Sequence, residues 1–470
     1  MKKIIRLAFC FLLLPFTAMG QDSTLIFNQD QLIWYIKKYH PVSIQADLLL
    51  QQGESAVTQA RGGFDPYLFM NLDQKYYDEK TYYSILGTGL KVPTWYGIEL
   101  KTGYDQNRGA YLNPENNLPA DGLWYAGISV PVGQGLFIDK RRATLQQAKL
   151  FAESTLAEQQ KIMNYLYFDA IKQYWKWVEA WNQYLVYEES VQLAVTRFNA
   201  VKQSFLLGDV PAIDTLEAFI QVQNRQMNRN QTLLMYQNST LELSNYLWYE
   251  NNTPLIITDS IRPPSTSKIT LPDVIYRDSL DQLLLQVESL HPEMQLYQYK
   301  LASMEVERRL KVEGLKPKIN LNYNTINEPT GTDFLSGISP ENYKWGVDFS
   351  IPIFLREQRG DLQLTKIKIQ DTELTRQQAL LALQNDVRSY YNEQVNLEQQ
   401  VLLYRNAVQN YDRLLQGERV KFDTGESSLF LVNARETNLI DAQLKLIELI
   451  AKYNIASTGL IWASGQLFDM

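Results

Sequence analysis

The sequence predicts an α+β membrane protein: barrel-type β-strands joined to very long helices, with one plan occurring twice along the chain. Three observations carry this. Segments of about 10 residues alternate apolar and polar side chains, as strands exposed to lipid on one face require. Residues 139–206 and 361–416 contain neither Pro nor Gly. Matching residues recur in order at fixed offsets along the chain.

At the N-terminus, Lys2, Lys3 and Arg6 precede the apolar run Leu7 to Phe16, and Ala18-Met19-Gly20 follows. A basic start, an apolar run too short to span a bilayer and a small-x-small ending describe a signal peptide over 1–20. Cys10, the one cysteine, lies inside it, so the mature chain carries no thiol. The compartment is secretory, and membrane residence would have to be through a β-barrel.

Helical stretches flank His40-Pro41, and the pre-proline position breaks the helix there. Strands follow. Leu68, Met70 and Leu72 oppose Phe69, Asn71, Asp73 and Lys75, and Tyr96, Ile98 and Leu100 oppose Gly97, Glu99, Lys101 and Asp105. A half-buried soluble sheet has the same alternation. The aromatic pairs Tyr76-Tyr77, Tyr82-Tyr83, Trp95-Tyr96 and Trp124-Tyr125 near strand ends favour a membrane barrel. The breaker-free stretch 139–206 then reads as one helix of roughly 100 Å, a length suited to a coiled-coil-like array. Gly208 punctuates it before a returning helix.

Residues 251–272, with Asn251-Asn252, Pro254 and Pro263-Pro264, read as a linker. Beyond it the plan repeats. An offset of 251 maps Asp30-Gln31-Leu32 onto Asp281-Gln282-Leu283, His40-Pro41 onto His291-Pro292, and Pro66 onto Pro317. After that the offset is 217, mapping Phe137 onto Phe354, Arg142 onto Arg359, Phe205 onto Phe422 and Gly208 onto Gly425. The first copy thus holds 34 extra residues between Pro66 and Phe137, with strand-like segments near 82–106 and an Asn-Pro-rich loop at 107–122. In the second copy Ile319, Leu321 and Tyr323 oppose Lys318, Asn320, Asn322 and Asn324, and Tyr343 to Ile351 alternate likewise. The chain therefore divides into a signal peptide (1–20), a first repeat (21–250), a linker (251–272) and a second repeat (273–470).

Composition excludes several functions. The net charge of -7 gives no reason to hold nucleic acid, and two His leave almost nothing for a metal site. No Ser/His/Asp set can be assembled, so no enzyme activity, cofactor or metal is expected. Tyr at 29 residues and Trp at 9 suit a chain that meets both hydrocarbon and water.

The segments "VPVGQGLFIDKRRA" (130–143), "IPIFLREQRGDL" (351–362), "GDVPAIDTLEA" (208–218) and "GESSLFLVNARE" (425–436), in this duplicated order, resemble the TolC-type outer-membrane efflux proteins. The resemblance covers essentially the whole mature chain. It implies a homotrimer in the outer membrane: three chains share one β-barrel, continued into the periplasm by an α-helical barrel. It also implies a passive exit duct for tripartite efflux or type I secretion, partnered by a periplasmic adaptor and an inner-membrane pump. Two strands per copy are too few to close a barrel in one chain, and three chains would remove the open edges. The alternatives are an exit duct for a specialised heavy-metal exporter and a non-channel periplasmic coiled-coil scaffold.

The resemblance further places acidic residues at the periplasmic entrance, and Asp214, Glu217 and Glu426 are the candidates. The plain alternative is carboxylates favoured by a helix N-terminus. The second copy departs from the pattern, because Leu429-Phe430-Leu431-Val432-Asn433 carries no carboxylate where the first copy is acidic. Gly208 and Gly425 are the expected hairpin turns and candidate adaptor contacts. His40 and His291 read as structural. Arg142 and Arg359 could anchor the barrel-to-tunnel junction, with a solvated surface position the simpler expectation.

Overall fold

The computed structural model describes residues 25–269, 271, 277–328 and 341–469. The expected signal peptide lies outside the described residues, as do residues 270 and 272 of the expected linker. The first half runs α1 (Gln29–Tyr39), α2 (Pro41–Arg61), then strands β1 (Tyr67–Tyr77), β2 (Lys80–Pro93), β3 (Glu99–Arg108) and β4 (Leu123–Pro131). The helices α3 (Lys140–Leu207) and α4 (Ala212–Ser244) complete it. The second half runs α5 (Arg277–Leu290), α6 (Pro292–Glu313), β5 (Lys318–Asn327), β6 (Tyr343–Ser350), α7 (Arg356–Asp423) and α8 (Leu429–Ala463).

Each His-Pro pair separates two helices for the expected reason. His40 (φ −68°, ψ 133°) and His291 (φ −64°, ψ 127°) are extended, as residues before proline prefer. Each then caps the helix it precedes. The backbone N–H of Val42 donates to His40 Nδ1, and that of Glu293 to His291 Nδ1, both at 3.2 Å. The imidazole therefore takes an N-cap role usually held by Ser, Asp or Asn.

The helices α3 and α7 are each 68 residues long, or about 100 Å at 1.5 Å per residue. The helix α3 coincides with its breaker-free stretch to within a residue at each end, whereas α7 overruns its own, because Gly360 and Gly417 are accommodated inside it. Among the described residues no helix is long and apolar enough to cross a membrane. The core is densest halfway along α3, where Tyr167, Ile171, Tyr174 and Trp177 are buried against Leu32 and Ile36 of α1 and Leu243 of α4. Two of these side chains also place their polar ends on partners. Tyr174 Oη donates to the Phe27 carbonyl at 2.9 Å, and Trp177 Nε1 to Thr240 Oγ1 at 2.9 Å. Buried aromatics need such partners to avoid the cost of stranded polar groups.

The linker is more structured than a surface connection. Leu25–Ile26 pairs in parallel with Ile261–Arg262, and Asn182 of α3 accepts from Thr266 N at 2.9 Å while donating to the Pro264 carbonyl at 3.1 Å. Two prolines prevent helix here, but tertiary partners supply hydrogen bonds that the sequence pattern cannot reveal.

The six strands form one antiparallel sheet in the order β6-β5-β4-β3-β2-β1. The extra segment of the first half therefore contributes strands to the sheet itself. The strand expected from Tyr96 begins instead at Glu99. Gly97 takes φ 85° in a turn, where the Thr94 and Ile98 backbones pair at 2.9 Å. One face carries Leu68, Leu90, Val92, Leu100, Ile128, Leu321, Tyr323, Trp345 and Val347 in register, and the other carries Lys91, Lys101, Asn322, Asn324 and Asp348.

His291 titration gives a prediction. Burial, with the Lys161 charge adding to it, lowers its pKa from 6.5 to about 4. Between these values the unfolded chain binds the proton and the folded chain does not, so stability is full above pH 6.5 and falls as pH drops towards 4. The loss is on the order of 3 kcal/mol. Burial lowers His40 in the same direction, so urea titrations at a series of pH values should show a steeper slope in the wild type than in His291→Asn, whose side chain still caps. An identical slope in the variant would assign the effect to other groups.

Candidate functional site

Two ends of the helical part can carry function: the junction with the sheet, and the far tips of the α3–α4 and α7–α8 hairpins. At the junction, α3 is started by Asp139, whose Oδ1 accepts from Arg142 N at 2.8 Å. The Arg142 guanidinium folds back onto the Gly135 and Leu136 carbonyls and lies 3.4 Å from Asp139. It is a junction residue and not a solvated one. Its counterpart Arg359 is exposed, so only the first copy uses the position this way. From the second half, buried Glu313 accepts from Gly135 N (3.2 Å) and Phe137 N (3.4 Å) and pairs with Lys316 at 2.7 Å. Gly133 belongs to the same arrangement, since a Cβ there would lie 2.1 Å from the Pro317 carbonyl oxygen. The glycines of "VPVGQGLF" thus let one copy's turn pass close under the other copy's strand entrance.

At the tips both hairpins turn through one device. Gly208 (φ 86°) and Gly425 (φ 79°) are left-handed, and the residue after each closes a six-residue loop. Asp209 N donates to the Ser204 carbonyl at 2.9 Å, and Glu426 N to the Lys421 carbonyl at 2.8 Å. These are Schellman closures, which favour Gly at the left-handed position. The expected turns are therefore where the sequence placed them.

The two tips pack side by side. Val201, Ala218 and Leu429 form a buried cluster with Phe198, Val210 and Phe422 around it, which draws on all four helices or their turn. Beside it runs a polar network. Arg197 grips Glu436 with two bonds, 2.7 and 3.0 Å, and also donates to Asn433 Oδ1 at 2.9 Å. Asn433 Nδ2 in turn donates to Glu217 Oε1 at 3.2 Å. Arg225 donates to Thr437 Oγ1 at 2.9 Å. Glu436 has a side chain only 6% exposed, so this fork is the strong, geometry-fixing kind of ion pair.

Of the three acidic candidates, Glu217 is thus tied to the second hairpin, Asp214 is half-buried in the first turn of α4, and Glu426 is exposed in the other turn. All three occupy the same end of the molecule. Arg197, Asn433 and Glu436 were not singled out from the sequence. The signal lay inside "VNARE" (432–436), where Asn433 and Glu436 are three apart and so share a helix face. The tips also expose large apolar side chains: Leu206, Leu207, Ile213 and Phe430.

Residues 283–466 match the family model described as outer membrane efflux protein. No curated protein sequence matches the chain significantly. Solved structures of similar fold include the open-state MtrE outer membrane channel of Neisseria gonorrhoeae, at 14% identity and TM-score 0.66, covering 93% of this chain and 89% of that one. The Campylobacter jejuni CmeC outer membrane channel is similar at 14% identity and TM-score 0.63, with 93% and 86% covered. The outer membrane protein VceC of Vibrio cholerae matches at 14% identity and TM-score 0.64, with 93% and 96% covered.

Glu436→Gln should leave Arg197 half-buried without its carboxylate and cost about 2–4 kcal/mol. The loss should be local. Amide hydrogen exchange should quicken over residues near 197, 217 and 433 while the Trp177 region keeps its protection. Uniform quickening throughout would show that the fork supports the whole helical body and not the tips.

Proposed function

We propose that this chain, a TolC-type outer-membrane efflux protein by the family match of its second half and the fold of its whole length, forms the passive exit duct of a tripartite efflux or type I secretion system as a homotrimer. The observation that carries the reading is the continuity of an amphipathic six-stranded sheet with helices about 100 Å long. Six strands are fewer than the smallest membrane barrels contain, and an open edge has no place in hydrocarbon. Three chains close the sheet with its apolar face to lipid and its polar face to a water-filled bore. The helices then extend from the barrel into the periplasm as a tunnel wall. The two repeats, joined by the segment 251–272, would supply alternate portions of that wall.

The hairpin tips lie at the opposite end from the barrel and would face the inner-membrane pump. Their exposed Leu206, Leu207, Ile213 and Phe430 suit burial against a periplasmic adaptor. Asp214, Glu217 and Glu426 would then surround the entrance, and the Arg197–Glu436 fork would hold the two hairpins of each chain together there. The duct does no chemistry. It supplies a hydrated path, and the pump supplies the energy.

Protein extracted from the outer membrane in detergent should behave as a trimer by mass photometry, and a stable closed monomer would sink the shared-barrel reading. Two sets of variants address the tips. Asp214→Ala with Glu217→Ala should alter cation selectivity in planar bilayers, and unchanged selectivity would remove both from the entrance. Gly208→Val and Gly425→Val each impose about 1–2 kcal/mol of left-handed strain, too little to unfold a trimer. They should reduce export at normal trimer abundance. Normal export in both would place the partner contact elsewhere.

A further inference from the structure

The 34 additional residues of the first half do more than lengthen a loop. The second half shows the plan without them: helix, two strands, helix. In the first half the same plan is interrupted by β2 and β3, which sit in the middle of the sheet between β1 and β4. The added strands are fully incorporated. Along most of its length β2 pairs on both sides, Tyr67 to Tyr77 of β1 facing Lys91 to Lys80, and Ser84 to Pro93 facing Arg108 to Glu99. Their faces keep phase with their neighbours. On the apolar face Leu72 meets Leu86, Leu68 meets Leu90, and Val92, Leu100, Ile128, Tyr323 and Trp345 form one row through five strands. A hairpin folded away from the barrel would have neither double pairing nor this continuity.

The sheet also has the stagger of a closing barrel. The row that begins at Leu68, near the helical end of β1, passes through Leu90, Thr102, Ala126 and Thr325 and ends at Tyr343, at the far end of β6. Such an offset across successive strands is the shear that a tilted, closed sheet requires. The direction of the strands permits closure as well. The sheet has an even number of strands, so β1 of one chain and β6 of the next run antiparallel when joined by rotation. On the polar face Gly89 stands directly opposite Gly103, and the absence of side chains there lets the Phe69 and Tyr125 rings lie over them against the wall.

Building on the trimeric duct proposed above, we infer that the barrel has 18 strands, three chains of six, and that the insertion widens it from the 12 strands that two per half would give. Barrel diameter grows almost linearly with strand number. At a strand spacing near 4.8 Å and a tilt near 40°, the backbone diameter is about 36 Å with the insertion against about 24 Å without it. The outer-membrane end is consequently a wide mouth that admits helical or extended polypeptide as well as small molecules, and two further strands per chain add to its lipid-facing band.

Electron microscopy of the full-length, detergent-extracted protein tests this by counting strands around the barrel. A trimer with 18 strands is the expected result. A trimer with 12, the 80–108 hairpin lying off the barrel, would overturn the inference and leave the duct reading intact. A particle that is not a trimer would overturn the duct reading, and this inference with it. A second measurement does not depend on imaging. Polyethylene glycols added from the barrel side of a planar bilayer should enter and lower the conductance up to a larger size in the wild type than in a variant with residues 79–121 deleted. Equal size limits in a correctly assembled variant would also overturn it.

Discussion

Among the described residues the outward backbone groups of Tyr67–Tyr77 and Tyr343–Ser350 find no strand partner, and this constraint shapes the rest of the molecule. In water such edges are solvated. In hydrocarbon each unpaired N–H or carbonyl would cost several kcal/mol, and this cost is the physical ground of the proposed trimer. In the proposed trimer this amphipathic sheet would be one arc of a larger wall, and symmetry would supply the remainder, because the two edges are different strands and each would meet the other kind on its neighbour.

The helices answer a different requirement. A single helix of about 100 Å satisfies its own backbone groups but has too little apolar surface at any one level to be stable alone. In this chain α3 is held from several sides at once. The buried aromatics from Tyr167 to Trp177 fix its middle, Asp139 and Arg142 fix its start, and Arg197 fixes the region near its end. The stretches between contain Ala and Gln, and the packing is close enough that Gly53 of α2 would place a Cβ 2.9 Å from the Ala152 backbone. Strength is therefore concentrated at three levels, the junction, the middle and the tip.

The two halves share a plan without sharing its details. His40 and His291 perform one task in each, as do Gly208 and Gly425. Arg142 and Arg359 do not, since only Arg142 has the Gly135 turn to fold onto. Glu313 of the second half completes that turn in the first.

The strand alternation, the helix lengths, the Gly turns and the His-Pro breaks were all legible in the chain itself. Each is a local matter: side chains alternate every two residues, proline restricts the residue before it, and glycine alone enters the left-handed region freely. The linker's partners, the burial of Arg142 and the Arg197–Glu436 fork were not legible, since each joins residues far apart in sequence. The clearest case is the segment 80–108. Its alternating pattern identified strands but left open whether they join the sheet or stand beside it. Alternation reports only that a strand has two unlike faces, whereas position in a sheet is set by hydrogen bonds along its edges, and only the folded structure places Leu86 against Leu72 and Lys91 against Lys101.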